Sequence, residues 1–216
     1  MARPVLPRRR LLSAGLGGVA LAATPLPAFA LFPTPRQTAG PFYPKELPLD
    51  HDNDLTRVEG QAESAAGEAT QVFGRVLSES GQPIAGALVE IWQCNAFGTY
   101  HHPRDSGRLD PAFQGYGRMT ADESGGYRFR TIRPVAYGSR TPHIHFAVTG
   151  PGLGTLVTQM YVAGEPQNES DFILRRIRGD EARASVIVEL RRDASLEPEG
   201  WVGRFDLVLG RSLTGG

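Results

Sequence analysis

Two imidazoles stand two positions apart in "TPHIHFAVTG", residues 141–150, where His143 and His145 alternate with Ile144, Phe146 and Val148. Successive side chains of a strand point to opposite faces, so both histidines share one face and the apolar residues share the other. Imidazoles spaced this way lie roughly 7 Å apart at the backbone and can converge on one ion bound at ~2 Å. On spacing alone, two histidines on a solvated face fit the pattern equally well. The neighbourhood tilts the balance towards chemistry. The segment before His143, "RPVAYGSRTP", carries Tyr137 and Arg140, and upstream "EIWQCNAFGTYHHPRD" runs from a strand into a loop that carries Tyr100. Loops at strand ends are where sites are built. His101 and His102 follow Tyr100 and read as loop residues, and His51, in the acidic "LDHDNDL", reads as part of a solvated loop.

The elements that must position these residues are short and β-like. From Gln71 onward, "QVFGRVL", "ALVEIWQ", "GYRFRTI", "HIHFAVT", "TLVTQMY", "ASVIVEL" and "RFDLVL" recur, separated by turn segments such as "SESGQPIAG" and "TADESGG". Several short strands punctuated by Gly and Pro predict an antiparallel sandwich or barrel. The best helix candidate is "NESDFILRRI", one or two turns long, with Asn168 or Ser170 as its cap. Residues 31–70, rich in Pro, Gly, Ala and acidic side chains, predict an extended arm plus loops, and residues 71–216 the sandwich.

Lys and Arg total 23 and so do Asp and Glu, which leaves no charge bias towards nucleic acid or an anionic membrane. The single cysteine, Cys94, excludes an internal disulfide and reads as a small buried hydrophobe beside Trp92. Residues 1–30 read as an export signal: Arg8, Arg9 and Arg10 precede an apolar run, and Ala28-Phe29-Ala30 offers a small-x-small cleavage pattern. The run contains Gly15, Gly17 and Gly18 and falls short of the roughly 20 apolar residues that span a bilayer. The paired arginines resemble a twin-arginine signal, which implies export of a folded protein to the periplasm or medium. What remains is about 186 residues, a length expected for one domain.

Four motifs in order, "GQPIAGALVEIWQCNAFGTY", "GYRFRTIRPVAY", "RTPHIHFAV" and "LVTQMY", together with "QTAGPFYP" from Gln37, resemble the intradiol ring-cleavage dioxygenases. The resemblance implies an all-β, prealbumin-like antiparallel sandwich with an extended N-terminal arm and at most short helices. It also implies one non-haem Fe(III) per chain, held by Tyr100, Tyr137, His143 and His145. The residue types suit that ion. A free phenol titrates near 10, so holding one as phenolate at pH 7 costs about 4 kcal/mol, which a hard trivalent cation offsets. Two phenolates with two neutral imidazoles leave a net positive centre that attracts a catecholate. The implied reaction cleaves a catecholic ring between its two hydroxylated carbons with O2, giving a muconate-type diacid. In it, Tyr137 takes up a substrate proton, Arg140 stabilises negative charge developing on the ring, and Gln159 orients Arg140 or the substrate.

This chain departs from the family in two places. Only Gly138 and Ser139 separate Tyr137 from Arg140, where the protocatechuate type carries a longer insertion. The helical N-terminal region of the catechol type is absent, since the segment before Gln71 lacks the periodicity. The chain therefore resembles the protocatechuate type, with a single kind of subunit and a possible homo-oligomer. In that type the Q-T-x-G-P segment helps line the pocket, which makes Gly40 and Pro41 candidates for substrate contact. Two other classes compete. A cupin-like oxygenase also uses an H-x-H strand but needs a further histidine or carboxylate, and no histidine follows His145. A non-catalytic transthyretin-like binding module fits "GRVLSESGQPIAGALVEIW" and implies no tightly bound iron.

Overall fold

In Ala69–Ser78, the inward residues Thr70, Val72, Gly74 and Val76 alternate with partly exposed ones, the signature of a strand with one face in a core. The computed structural model, which describes residues 30–48, 50–196 and 199–210, builds two sheets on such strands. The export signal read over residues 1–30 falls, apart from its last residue, outside the described residues. In the first sheet β1 (Ala69–Ser78) is flanked on one side by the antiparallel β4 (Gly126–Ile132). Its other side takes β9 (Gly200–Arg204) and then β10 (Leu207–Leu209), both parallel to it, and β8 (Arg191–Asp193) pairs antiparallel with β9. The second sheet runs β3 (Tyr116–Thr120), β2 (Leu88–Trp92), β5 (His143–Thr149), β6 (Thr155–Val162), β7 (Ile187–Val188), with only β7 joining in parallel. The inner faces meet in one core that includes Val72, Phe129, Ile91, Ile144, Phe146, Met160, Phe205 and Leu207.

The sandwich is therefore mixed rather than wholly antiparallel, because the segments that dock beside β1 and β6 from later in the chain, β9, β10 and β7, run in the same direction as those strands. "RFDLVL" does not form one strand. Its Arg204 ends β9 and its Leu207–Leu209 form β10, with Phe205 and Asp206 between them, and both strands follow β1 in the same direction. The break is seated where Gly74 lacks a side chain: a Cβ there would run into the Phe205 carbonyl, which also accepts the Tyr127 hydroxyl. Of "ASVIVEL" only Ile187 and Val188 pair, because Ala184 ends the short helix α1 (Asp180–Ala184). "NESDFILRRI" overlaps two separate 3-10 turns, Pro166–Glu169 and Leu174–Arg176, and neither Asn168 nor Ser170 is an N-cap; Ser170 closes the first turn at its C-terminal end. The start of the second turn is held by Asp171, whose Oδ1 accepts from the backbone N–H groups of Ile173 and Leu174.

The arm binds across both sheets by main-chain bonds. Leu31 donates to the Glu79 carbonyl, Thr34 to that of Val208 and Gln37 to that of Val157. It then passes over the outer face of β2 and β5. Consequently β5 is buried on both faces over His143 to Val148, and Trp92, on the non-core face of β2, is buried as well. Among the described residues no helix is long and apolar enough to cross a membrane.

Candidate metal centre

The face of β5 that carries the histidines is not solvated; His143 and His145 are each 1% exposed. Register places Trp92, His145 and Gln159 side by side across β2, β5 and β6, and Tyr161 beside His143. Trp92 stacks on His145 with ring centroids 4.8 Å apart and planes within 6°. The two imidazoles converge, their centroids 4.9 Å apart.

Two loops deliver the phenols. After β2, Asn95 Oδ1 accepts the N–H groups of Phe97 and Thr99, and Gly98 takes the positive φ the turn requires, which turns Tyr100 inward. After β4, a two-residue turn pairs Tyr137 with Arg140, and Gly138 again supplies a positive φ. The short spacing between these residues is thus a tight hairpin that sets phenol and guanidinium next to each other. Ring centroids lie 5.1 Å apart for Tyr100 and Tyr137, 5.5 Å for Tyr137 and His143, and 6.2 Å for Tyr100 and His145. Tyr100, Tyr137, His143 and His145 therefore form one cluster of neighbouring rings.

The hydrogen bonds leave several polar atoms of this cluster unused. His143 Nδ1 donates to the Thr141 carbonyl at 2.6 Å, which directs the Nε2 lone pair inward, and Nε2 is buried without a partner. His145 Nδ1 is likewise buried without a partner, and the buried Tyr100 hydroxyl has the Tyr137 phenol as its polar neighbour. Orphaned buried polar atoms are rare in native proteins, and two on adjacent imidazoles beside a pair of phenols fit a ligand set for a cation. Burial lowers the His143 pKa to about 4, assisted by the positive charge of Arg140, and holds His145 well below its ordinary value. Both imidazoles are neutral, as ligands must be. Burial pushes the Tyr100 phenol well above 10, and the nearby Tyr137 phenol adds to the effect. Tyr137 is also raised by burial but is opposed by Arg140. Neither phenol ionises near neutrality unaided, so this pair suits a cation strong enough to deprotonate it. Among the described residues no three His, Cys, Asp or Glu side chains could hold one ion together, so the histidines have phenols, not carboxylates, beside them.

Around the four residues lies a polar frame. Arg140, 6% exposed, donates from Nε to Asp171 Oδ2 at 2.7 Å and from Nη2 to Gln159 Oε1 at 2.6 Å. Gln159 donates to the Thr38 carbonyl, and the Tyr161 hydroxyl donates to Gln37 Oε1. Gly40 has φ 68°, and a Cβ there would sit 3.5 Å from His145 Cε1, so glycine brings the arm backbone against that ring. Pro41 is exposed next to it. Phe42 stacks on Tyr100 at 4.5 Å, and with Pro44 and His101 both rings line a cleft of about 440 Å³.

Sequence reasoning missed Asp171, Tyr161, Phe42 and the stacking role of Trp92. Strand alternation from Gln159 was a signal for Tyr161; nothing local linked Asp171 to Arg140. His102 is buried, its Nδ1 accepting from the Arg104 N–H. His51 is no free loop residue either, since it bridges the Pro48 carbonyl and the Arg118 guanidinium.

A family model described as dioxygenase (Dioxygenase_C) matches residues 38–211. The beta chain of protocatechuate 3,4-dioxygenase from Burkholderia cepacia is 42% identical over 178 residues, covering 77% of this chain and 74% of that one. Catechol 1,2-dioxygenase 2 from Acinetobacter lwoffii is 34% identical over 157 residues, covering 64% of this chain and 54% of that one. This chain thus spans about half the length of the catechol relative. Among solved structures, mercury-inhibited catechol 1,2-dioxygenase from Acinetobacter sp. ADP1 superposes with a TM-score of 0.65 at 27% identity, covering 82% of this chain and 63% of that one. The dioxygenase domain of a dioxygenase carbohydrate-binding fusion from Streptomyces sp. SirexAA-E superposes at 0.64 with 30% identity, covering 83% and 99%.

Proposed function

The chain belongs to the intradiol ring-cleavage dioxygenases, and from that premise we propose that it opens a catecholic ring between its two hydroxylated carbons with O2, giving a muconate-type diacid. The observation that carries the reading is the clustering of Tyr100, Tyr137, His143 and His145, with His143 Nε2 and His145 Nδ1 buried and unpartnered. One non-haem Fe(III) would be held by these four side chains. When bound, it supplies the Lewis acidity that ionises a catechol and makes it reactive towards O2.

The chain's own residues account for the rest. Tyr137, half-buried and less enclosed than Tyr100, is the phenol placed to take up a substrate proton at its hydroxyl oxygen. Arg140, held charged by Asp171, stabilises negative charge on the ring as it acquires ketone character. Gln159 fixes the outer edge of that guanidinium. Gly40 and Pro41, on the arm beside His145, bound the substrate's approach. The substrate is a catechol, a reading supported by the protocatechuate and catechol dioxygenases among its relatives. We further propose export by a twin-arginine signal and assembly, if any, from this one kind of subunit.

The test is colour, then turnover. Ferric-loaded protein should carry one iron per chain and a red-brown phenolate band that shifts on adding a catechol, with O2 consumed and the diacid seen by mass spectrometry. Tyr100→Phe should lose the band or the iron. A colourless loaded protein, or an unchanged band in the variant, would overturn the ligand assignment.

A further inference from the structure

Asp171 lies outside the ligand set yet is the most completely engaged carboxylate near it. It is 0% exposed, and each oxygen accepts twice. Oδ2 takes Arg140 Nε at 2.7 Å and the Thr141 N–H at 3.1 Å; Oδ1 takes the N–H groups of Ile173 at 3.0 Å and Leu174 at 2.9 Å. Four donors match the roughly four lone-pair sites of an ionised carboxylate, so no acceptor capacity is left over. One oxygen belongs to the Arg140 side and the other caps the 3-10 turn, which joins the segment after β6 to the loop before His143. The second hold on that joint is the Thr141 hydroxyl donating to Asn168 Oδ1 at 2.8 Å.

The consequence falls on Arg140. Its guanidinium is gripped from two elements, at Nε by Asp171 and at Nη2 by Gln159, while the Phe172 ring lies 5.5 Å from Cζ. A planar fork held at two points has one orientation. Releasing the Nε end would leave a buried carboxylate uncompensated, so the pair moves together or not at all. An asparagine at 171 could keep the cap or serve Arg140, but not both, because its amide nitrogen would face donors on whichever side it took.

Resting on the ring-cleavage reading above, we propose that Asp171 is a positioning residue for that reaction, aiming the Arg140 guanidinium at the substrate through its Oδ2 while anchoring the aiming device to the 3-10 turn through its Oδ1.

Two measurements test this, one independent of iron and turnover. In iron-free protein, the Arg140 Nε–H resonance, assigned by its disappearance in Arg140→Ala, should exchange with solvent far more slowly than those of exposed arginines. Asp171→Asn should speed that exchange at least about tenfold. In iron-loaded protein, Asp171→Asn should keep its iron and visible band while kcat falls about tenfold to a hundredfold, the scale of a misplaced catalytic group, with KM moving much less. Made in an Arg140→Ala background, the same substitution should change kcat by less than about twofold, since residues acting through one another are not additive. Fast exchange at Arg140 in the unmodified protein would overturn the proposal even if the variant fails to fold. A loss of equal size with and without Arg140 would overturn it too, by revealing a purely structural role. If the loaded protein cleaves no catechol while the exchange results hold, the proposed reaction falls and the Asp171 to Arg140 positioning stands.

Discussion

Lowering the pH from 7 to 5 should destabilise the iron-free protein, and the size of the loss follows from one buried ring. His143 is neutral in the folded chain with a pKa lowered from 6.5 to about 4, first by burial and then by the charge of Arg140. The unfolded chain binds that proton near 6.5, so between the two values the unfolded state holds more protons and stability rises with pH. The contribution is intact above 6.5 and disappears as pH falls through about 4. A shift of this size amounts to about 3 kcal/mol in full, of which about 2 kcal/mol is lost by pH 5. His145, pushed down for the same reason and by its neighbour His143, acts in the same direction. Asp171, whose pKa is lowered from 3.8, adds its own loss only below that window. Urea unfolding of chelator-treated protein, followed by the fluorescence of Trp92 stacked on His145, should therefore show the midpoint falling from pH 7 to pH 5 at constant slope. His143→Gln, which cannot titrate, should flatten much of the fall. A midpoint that does not move, or one that falls equally in His143→Gln, would refute the argument that a neutral buried imidazole waits at this site.

Three further outcomes can be checked directly. Arg140→Ala should keep iron and its visible band while turnover drops roughly a hundredfold or more, the cost of losing a preorganised charge donor; normal kcat would remove the residue from the reaction. Gly74→Ala should cost about 3 kcal/mol in a urea melt, because the new methyl meets the Phe205 backbone rather than a movable side chain; an unchanged midpoint would mean that the β9 to β10 break yields easily. Cys94, 1% exposed and with its thiol pushed up to about 12 by burial, should label with a thiol reagent only as fast as the chain unfolds. Rapid labelling of native protein would show that the loop between β2 and Tyr100 opens.

Alternation made much of the scaffold legible. β1, β2, β4, β5 and β6 each follow a run whose apolar residues recur every second position, and that period reports only the backbone's own geometry. The same rule put His143 and His145 on one face. It was silent on β3, where "YGRMT" is short and holds Gly117 because the Asp52 backbone and Leu55 press against it. It was silent as well on β8 and β9, and on the parallel partners of β1, because pairing direction depends on how distant segments dock. The sequence by itself determined which side chains could ligate an ion and which strands carried the imidazoles, since both are properties of neighbours along the chain. The tertiary structure decided that the histidine face is dry, that two loops 37 positions apart bring Tyr100 and Tyr137 within 5.1 Å centroid to centroid, and that a carboxylate 31 positions after Arg140 fixes its guanidinium. Those outcomes rest on sheet order and on the arm lying across β2 and β5, non-local contacts that no spacing of residues encodes.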